Sequence, residues 1–134
     1  MYAVSIRYPR KEGEEFNFNH WADVHMPLGI ATFRKVNGIR PRQVMVQHAT
    51  FGMDGKPGST DAYATIWLLF DTRAGLDGFI KLHNDPVASA ELSHDFGNYA
   101  PLPPHIALGE VTVFEDMEAV LRRGESLLQS GSRS

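Results

Sequence analysis

The sequence predicts an α+β fold, an antiparallel sheet of four strands with its helices packed on one face. Three observations carry that expectation. Four segments show the two-residue alternation of a strand and two regions show the helical period. They succeed one another as β-α-β-β-α-β. The third strand is apolar on both sides, which requires cover on both faces.

The first strand runs from Tyr2 to Tyr8, with Tyr2, Val4, Ile6 and Tyr8 on one face and Ala3, Ser5 and Arg7 on the other. Pro9 to Gly13 reads as a turn. Asn17 is a good N-cap for the first helix, because its side chain can accept from a free amide of the first turn. That helix runs from about Phe18 to about Lys35 and stops at Asn37-Gly38. At about 100° per residue, Phe18, Trp21, His25, Leu28 and Thr32 share one stripe, and His20 lies almost opposite. Pro27 cannot donate to the carbonyl of Asp23 and crowds it. The helix should kink or restart beside His25, leaving a polar backbone group near the imidazole.

Arg42 to His48 alternates again, with Val44, Val46 and His48 against Gln43, Met45 and Gln47. Gly52 to Ser59 is a long turn-rich loop. Ala62 to Phe70 is the strongest strand. Asp71 or Thr72 can cap a second helix, on which Leu76, Phe79, Ile80 and His83 share a face. Asp85-Pro86 is an N-cap followed by proline at the first helical position, which restarts a helix to about His94. Asp95 to Asn98 and Pro101 to Pro104 form an irregular link. His105 to Phe114 is the fourth strand. Asp116 can cap a last short helix carrying Met117, Val120 and Leu121, and after Gly124 the Ser/Gly-rich chain is expected to fray.

This order is the ferredoxin-like split unit, an antiparallel sheet with both helices on one face. The other face then lacks cover, although the third and fourth strands are apolar on both sides. A second copy, sheet facing sheet, supplies it, so a symmetric homodimer is expected with Trp67 at or near the contact. The alternative is a C-terminal segment folded over the open face, but that segment is short and polar beyond Gly124.

Composition narrows the function. With 134 residues and 43% hydrophobic content, one domain with a real core is expected. The net charge is −3 and there is no basic stripe, which argues against a nucleic-acid partner. No segment approaches the roughly 20 apolar residues that span a bilayer, and no secretory signal is evident, so no membrane partner is expected. Zero cysteines remove thiolate nucleophiles and Cys-ligated zinc and fit a cytoplasmic location.

His25 is the best candidate for chemistry. It shares the inward stripe with aromatics, and imidazole is a usable acid or base near neutral pH. The bland alternative is a core histidine bonded to the carbonyl that Pro27 frees. His83 lies on the inner stripe of the second helix and can reach the same cavity. Tyr8 and His48 end strands on the helix-covered face and can line its mouth. Phe18, Trp21, Leu28 and Phe79 would give it apolar walls suited to a planar ligand. His20 and His25 are five apart, which is not the spacing of a helical metal pair, and His94 and Asp95 diverge; no metal site is expected. No phosphate loop or nucleophile-elbow serine is present.

The run Phe16-Asn17-x-x-His20-Trp21-x-x-x-His25-Met26-Pro27-Leu28 resembles the signature of EthD-domain proteins. Later pieces fall in the right order: a strand ending at Phe70-Asp71, a helix with Phe79, and Pro103-Pro104 before Ile106-x-x-Gly109-Glu110-Val111. Asn17 stands where Asp is usual and still caps a helix; His20 stands where an aromatic is common. The resemblance divides the chain into an EthD-like ferredoxin-fold domain at 1–115 and a short helix and flexible tail at 116–134. It implies a dimeric α/β barrel. For chemistry it implies a small enzyme without organic cofactor, acting on an apolar cyclic or aromatic metabolite as a decarboxylase, dehydratase, isomerase or oxygenase. His25 would be the acid or base, and Tyr8, His48 and His83 would orient polar groups of the ligand. The rival expectation is a non-catalytic accessory protein that binds a hydrophobic small molecule in the same cavity.

Overall fold

A computed structural model describes residues 1–131. The strands are β1 (Tyr2–Pro9), β2 (Gln43–His48), β3 (Ala62–Phe70) and β4 (His105–Glu110). They form one sheet in the order β2-β3-β1-β4, every pair antiparallel. The helices are α1 (Phe18–His20), a π-helical turn (Trp21–His25), α2 (Met26–Asn37), α3 (Ala74–Asn84), α4 (Pro86–Phe96) and α5 (Met117–Ser130). The α+β, ferredoxin-like arrangement expected from the sequence is the one the chain adopts. Among the described residues no helix is long and apolar enough to cross a membrane.

Register fixes the two faces of the sheet. Val4, Ile6 and Tyr8 stand opposite Leu68, Ile66 and Ala64, and those stand opposite Val44, Val46 and His48. This face meets the helices. Ala3, Ser5 and Arg7 share the other face with Leu69, Trp67 and Thr65.

The core has two ends. At one, Phe33 of α2, Phe70 of β3 and Leu76, Phe79 and Leu82 of α3 pack with Val4 and Ala88. The close approach depends on Gly75, where an added Cβ would fall inside the Phe70 ring. At the other end, Tyr8, Trp21, Ala64, Ile66, Tyr99 and Ala100 pack with Phe16, Met26 and Phe96.

Caps mark several boundaries. The Asn17 side chain accepts from His20 N–H at 3.1 Å, and Asp85 accepts from Val87 and Ala88 N–H at 3.0 Å each. Gly38 closes α2 in the left-handed region at φ 72°, where glycine carries no Cβ penalty.

Four details differ from the sequence reading. Neither Asp71 nor Thr72 caps α3 with its side chain; Asp71 instead accepts from Arg42 at 3.1 Å. Helix α4 continues past His94 to Phe96, so Asp95 is helical. β4 ends at Glu110, because β1, its one partner, begins at Tyr2 and leaves only Met1 C=O to accept from Val111 N–H. Helix α5 runs through Gly124 to Ser130. The part of the flexible-tail expectation at 132–134 lies outside the described residues.

Candidate active site

A cavity of about 390 Å³ lies between the helix-facing side of the sheet and helices α2, α3 and α4. Ile6, Ile66, Leu68, Phe33, Phe79 and Leu82 give it apolar walls. Its polar groups come from Tyr8, His25 and Tyr99 at the Trp21 end of the core, and from His83, Ser89 and Ser93 on α3 and α4. An apolar cleft with a few convergent polar groups is the usual form of a small-molecule site.

The π-helical turn shapes this wall. Met26 N–H bonds back to Trp21 C=O, an i→i+5 step, and Pro27 follows in the first turn of α2. The helix restarts beside His25, as Pro27 leads one to expect. The wider turn inserts one residue into the helical register. Downstream, Met26, Gly29, Ile30 and Phe33 line the cavity in place of Leu28, while Thr32 stays buried without lining it. Upstream, five residues make one turn, so His20 and His25 lie on the same side instead of apart.

Both histidines meet Asp95 in the last turn of α4. His20 Nε2 is 2.6 Å from Oδ1 and His25 Nδ1 is 3.2 Å from Oδ2. Asn98 Nδ2 also donates to Oδ1, at 3.1 Å. A carboxylate at a helix C-terminus faces the wrong end of the helix dipole, and these donors offset that. Burial pushes the Asp95 carboxyl upward, but the hydrogen bonds from His20, Asn98 and His25 outweigh it and hold it below the usual range.

On its other edge His25 Nε2 is 3.1 Å from Tyr99 Oη, which is 3.2 Å from Tyr8 Oη. Burial lowers the affinity of His25 for a proton, only partly opposed by Asp95, so the ring is neutral at pH 7. An ionised carboxylate only accepts. The direction of every bond follows: His25 Nδ1 donates to Asp95, Tyr99 to His25 Nε2, and Tyr8 to Tyr99. Burial raises the pKa of Tyr8 and of Tyr99, so both hydroxyls keep their protons. Asp95 thus fixes the tautomer whose basic nitrogen faces the tyrosines, as the carboxylate does in a hydrolase triad.

Backbone contacts hold the parts together. Asn17 N–H donates to Tyr99 C=O at 2.8 Å, tying the start of α1 to the turn after α4. Tyr99 N–H donates to Phe96 C=O at 3.2 Å.

Of the sequence candidates, Tyr8, Trp21, His25, Phe79 and His83 line the cavity. His83 Nδ1 donates to Phe79 C=O at 3.1 Å. Three others lie elsewhere. Phe18 stacks on Trp21 and meets His48 edge-on at 4.4 Å, so this pair forms a cluster outside the cavity. Leu28 is carried off the inward face by the π turn. Asp95 and Tyr99 escaped the sequence reading because they fall where an irregular link was expected. The i, i+4 spacing of Asp95 and Tyr99 at a helix end was the available signal. Among the described residues no group of three or more His, Asp or Glu side chains is arranged to hold a metal.

The fold is shared with solved proteins. An EthD-like protein from Ralstonia eutropha JMP134 aligns with a TM-score of 0.65 and 22% identity, over 86% of this chain and 95% of that one. An ethyl tert-butyl ether D (EthD) family protein from Bacillus halodurans C-125 aligns with a TM-score of 0.54 and 17% identity, over 84% of this chain and 99% of that one. The chain therefore has the fold of EthD-family proteins. No protein-family model matches it, and no curated protein does.

Proposed function

We propose that this chain is a small EthD-type enzyme that performs proton-transfer chemistry on an apolar cyclic or aromatic metabolite bound in the cavity between helices and sheet. The observation that carries this reading is the Asp95–His25–Tyr99–Tyr8 series, which ends on the cavity wall. His25 is the acid or base and Asp95 its orienting partner. The Tyr8 and Tyr99 hydroxyls, turned from one another to a ligand, would both donate to one carbonyl or phenolic oxygen. That arrangement stabilises the enolate charge formed when a neighbouring carbon loses a proton or carbon dioxide, and an enolate formed by proton loss can then expel hydroxide from the next carbon. The EthD signature and fold support the same reading, and support pairing of two copies through the open sheet face. There Met45, Trp67, Ser5 and Ala107 lie in one row across the strands, and Met45 is 42% exposed.

One observation favours the rival, a non-catalytic protein that binds a hydrophobic molecule. Both His25 nitrogens already have partners, and Tyr99 covers the basic one. The partners are side chains, though, and Tyr99 can exchange His25 for a ligand oxygen.

Deuterium uptake separates the two. Cyclic ketones and hydroxylated aromatic acids are incubated with the protein in D₂O and followed by NMR. The enzyme reading expects site-specific exchange or loss of carbon dioxide or water, reduced about 10²–10⁴-fold in His25→Gln, the usual contribution of a general acid or base. Full activity in His25→Gln removes His25 from the chemistry, and tight binding of these compounds with no exchange establishes the rival.

A further inference from the structure

We propose that His20 is a positioning residue for His25, acting on it through the carboxylate they share; this rests on the acid–base reading of His25. The two imidazoles occupy the two oxygens of Asp95 separately, His20 on Oδ1 at 2.6 Å and His25 on Oδ2 at 3.2 Å. Their surroundings differ. The His25 side chain is 18% exposed and lines the cavity, the Asp95 side chain is 11% exposed, and the His20 side chain, at 26%, is the most open of the three.

His20 does two things in this position. Its N–H, with that of Asn98, holds Oδ1, so Oδ2 is left facing His25 Nδ1 and keeps the tautomer with a basic Nε2. When His20 takes up a proton of its own, it draws the Asp95 charge toward itself. Asp95 then stabilises an imidazolium at His25 less well, and the two cations repel. The basicity offered to a ligand inside the cavity is thereby set from the outer side of Asp95.

The groups around the pair are few. Asp95 and Asn98 face it from the end of α4, and Tyr99, with Tyr8 behind it, from the turn that follows. The Tyr99 ring lies nearly parallel to His20 at 6.4 Å. Asp23 in the π turn and His94 on α4 are exposed and form no ion pair with either histidine among the described residues. Asp95 is therefore the one carboxylate through which the histidines couple.

The test needs no substrate. In protein labelled with ¹⁵N-histidine, NMR reads the tautomer and the titration of His25 in the wild type, in His20→Gln and in His20→Ala. Gln keeps an N–H donor for Oδ1 but cannot take up a proton. In His20→Gln the His25 tautomer should persist, while its titration is displaced to higher pH by about one unit, the low end of a neighbouring charge's effect. In His20→Ala the Nδ1–H tautomer should lose population. A His25 titration that superimposes in the wild type and His20→Gln overturns the proposal, as does an unchanged tautomer in His20→Ala. Should His20→Ala not fold, His20→Gln decides alone. Failure here leaves the catalytic reading standing, since that reading falls only when His25→Gln retains full turnover or the cavity binds without exchange.

Discussion

The two ends of the core are built by different means. The Phe33–Phe70–Phe79 end is held by shape alone: aromatic and aliphatic groups close on one another, and Gly75 lets α3 approach Phe70. The Tyr8–Trp21–Tyr99 end is as well buried, with the three side chains 3%, 4% and 3% exposed, yet it carries a directed series of hydrogen bonds. Among the described residues no buried side-chain nitrogen or oxygen lacks a partner. The difference separates tasks. Apolar packing is non-directional and supplies stability; a satisfied polar series holds protons at defined atoms. The cavity lies where the two meet, so a ligand would touch an inert wall and a reactive one.

The largest expected effect breaks the inert end. Phe70 lies in the core and does not line the cavity. Phe70→Ala should cost about 3–5 kcal/mol in chemical denaturation. Per folded molecule, proton exchange on a bound ligand should stay unchanged. A comparable loss of chemistry in the folded fraction would mean that the two ends are not separable.

A smaller effect is expected at the reactive end. Tyr99→Phe removes one oxygen and strands its partners, leaving His25 Nε2 without a donor and the Tyr8 hydroxyl without an acceptor. The cost should be about 1–3 kcal/mol, that of buried groups left unsatisfied. Here chemistry should fall with stability, the opposite of Phe70→Ala. Tyr99→Phe with full exchange activity would remove Tyr99 from the reactive wall.

How much the sequence shows differs between these ends for the same physical reason. Alternation and helical period report burial, so the strands, their faces and the Phe70–Phe79 packing were legible. His25 was legible too, through the inward stripe and Pro27. The π turn was not, because one inserted residue follows from local backbone geometry and leaves no apolar periodicity. That single residue moved Leu28 away from the cavity and brought His20 round to Asp95. Asp95 and Tyr99 were hidden further, since they follow no period and meet His25 only through the packing of α4 beside the π turn.

Acid should test the reactive end without any substitution. The folded-state value of His25 is depressed, so the unfolded chain binds that proton first as pH falls. Stability from the neutral ring is complete above the unfolded value of about 6.5 and is lost as pH drops toward the lower folded value. One such proton contributes a slope of at most about 1.4 kcal/mol per pH unit. Asp95, also depressed, adds a loss at lower pH as it too protonates. Urea unfolding between pH 7.5 and 5.5 should therefore weaken the wild type more than His25→Gln. Equal pH dependence in the two would show that burial does not hold His25 neutral.

The smallest effect is expected where neither kind of packing operates. Helix α5 buries no residue, although Met117, Val120, Leu121 and Leu128 form apolar points along it. Its cap is sound, Asp116 accepting from Ala119 N–H at 3.0 Å. Fourteen residues are nevertheless marginal for an isolated helix, and Gly124 in its interior costs about 1 kcal/mol relative to alanine. Within one chain, then, α5 contributes helical signal but almost no cohesion. A chain ending at Glu115 should lose far-UV ellipticity while its unfolding free energy moves by less than about 0.5 kcal/mol, the range of surface changes. Gly124→Ala in the full chain should raise ellipticity with the same indifference in stability. A loss of several kcal/mol on truncation, growing as the protein is concentrated, would place α5 against a second copy and give the molecule a third packed region beside the two ends of its core.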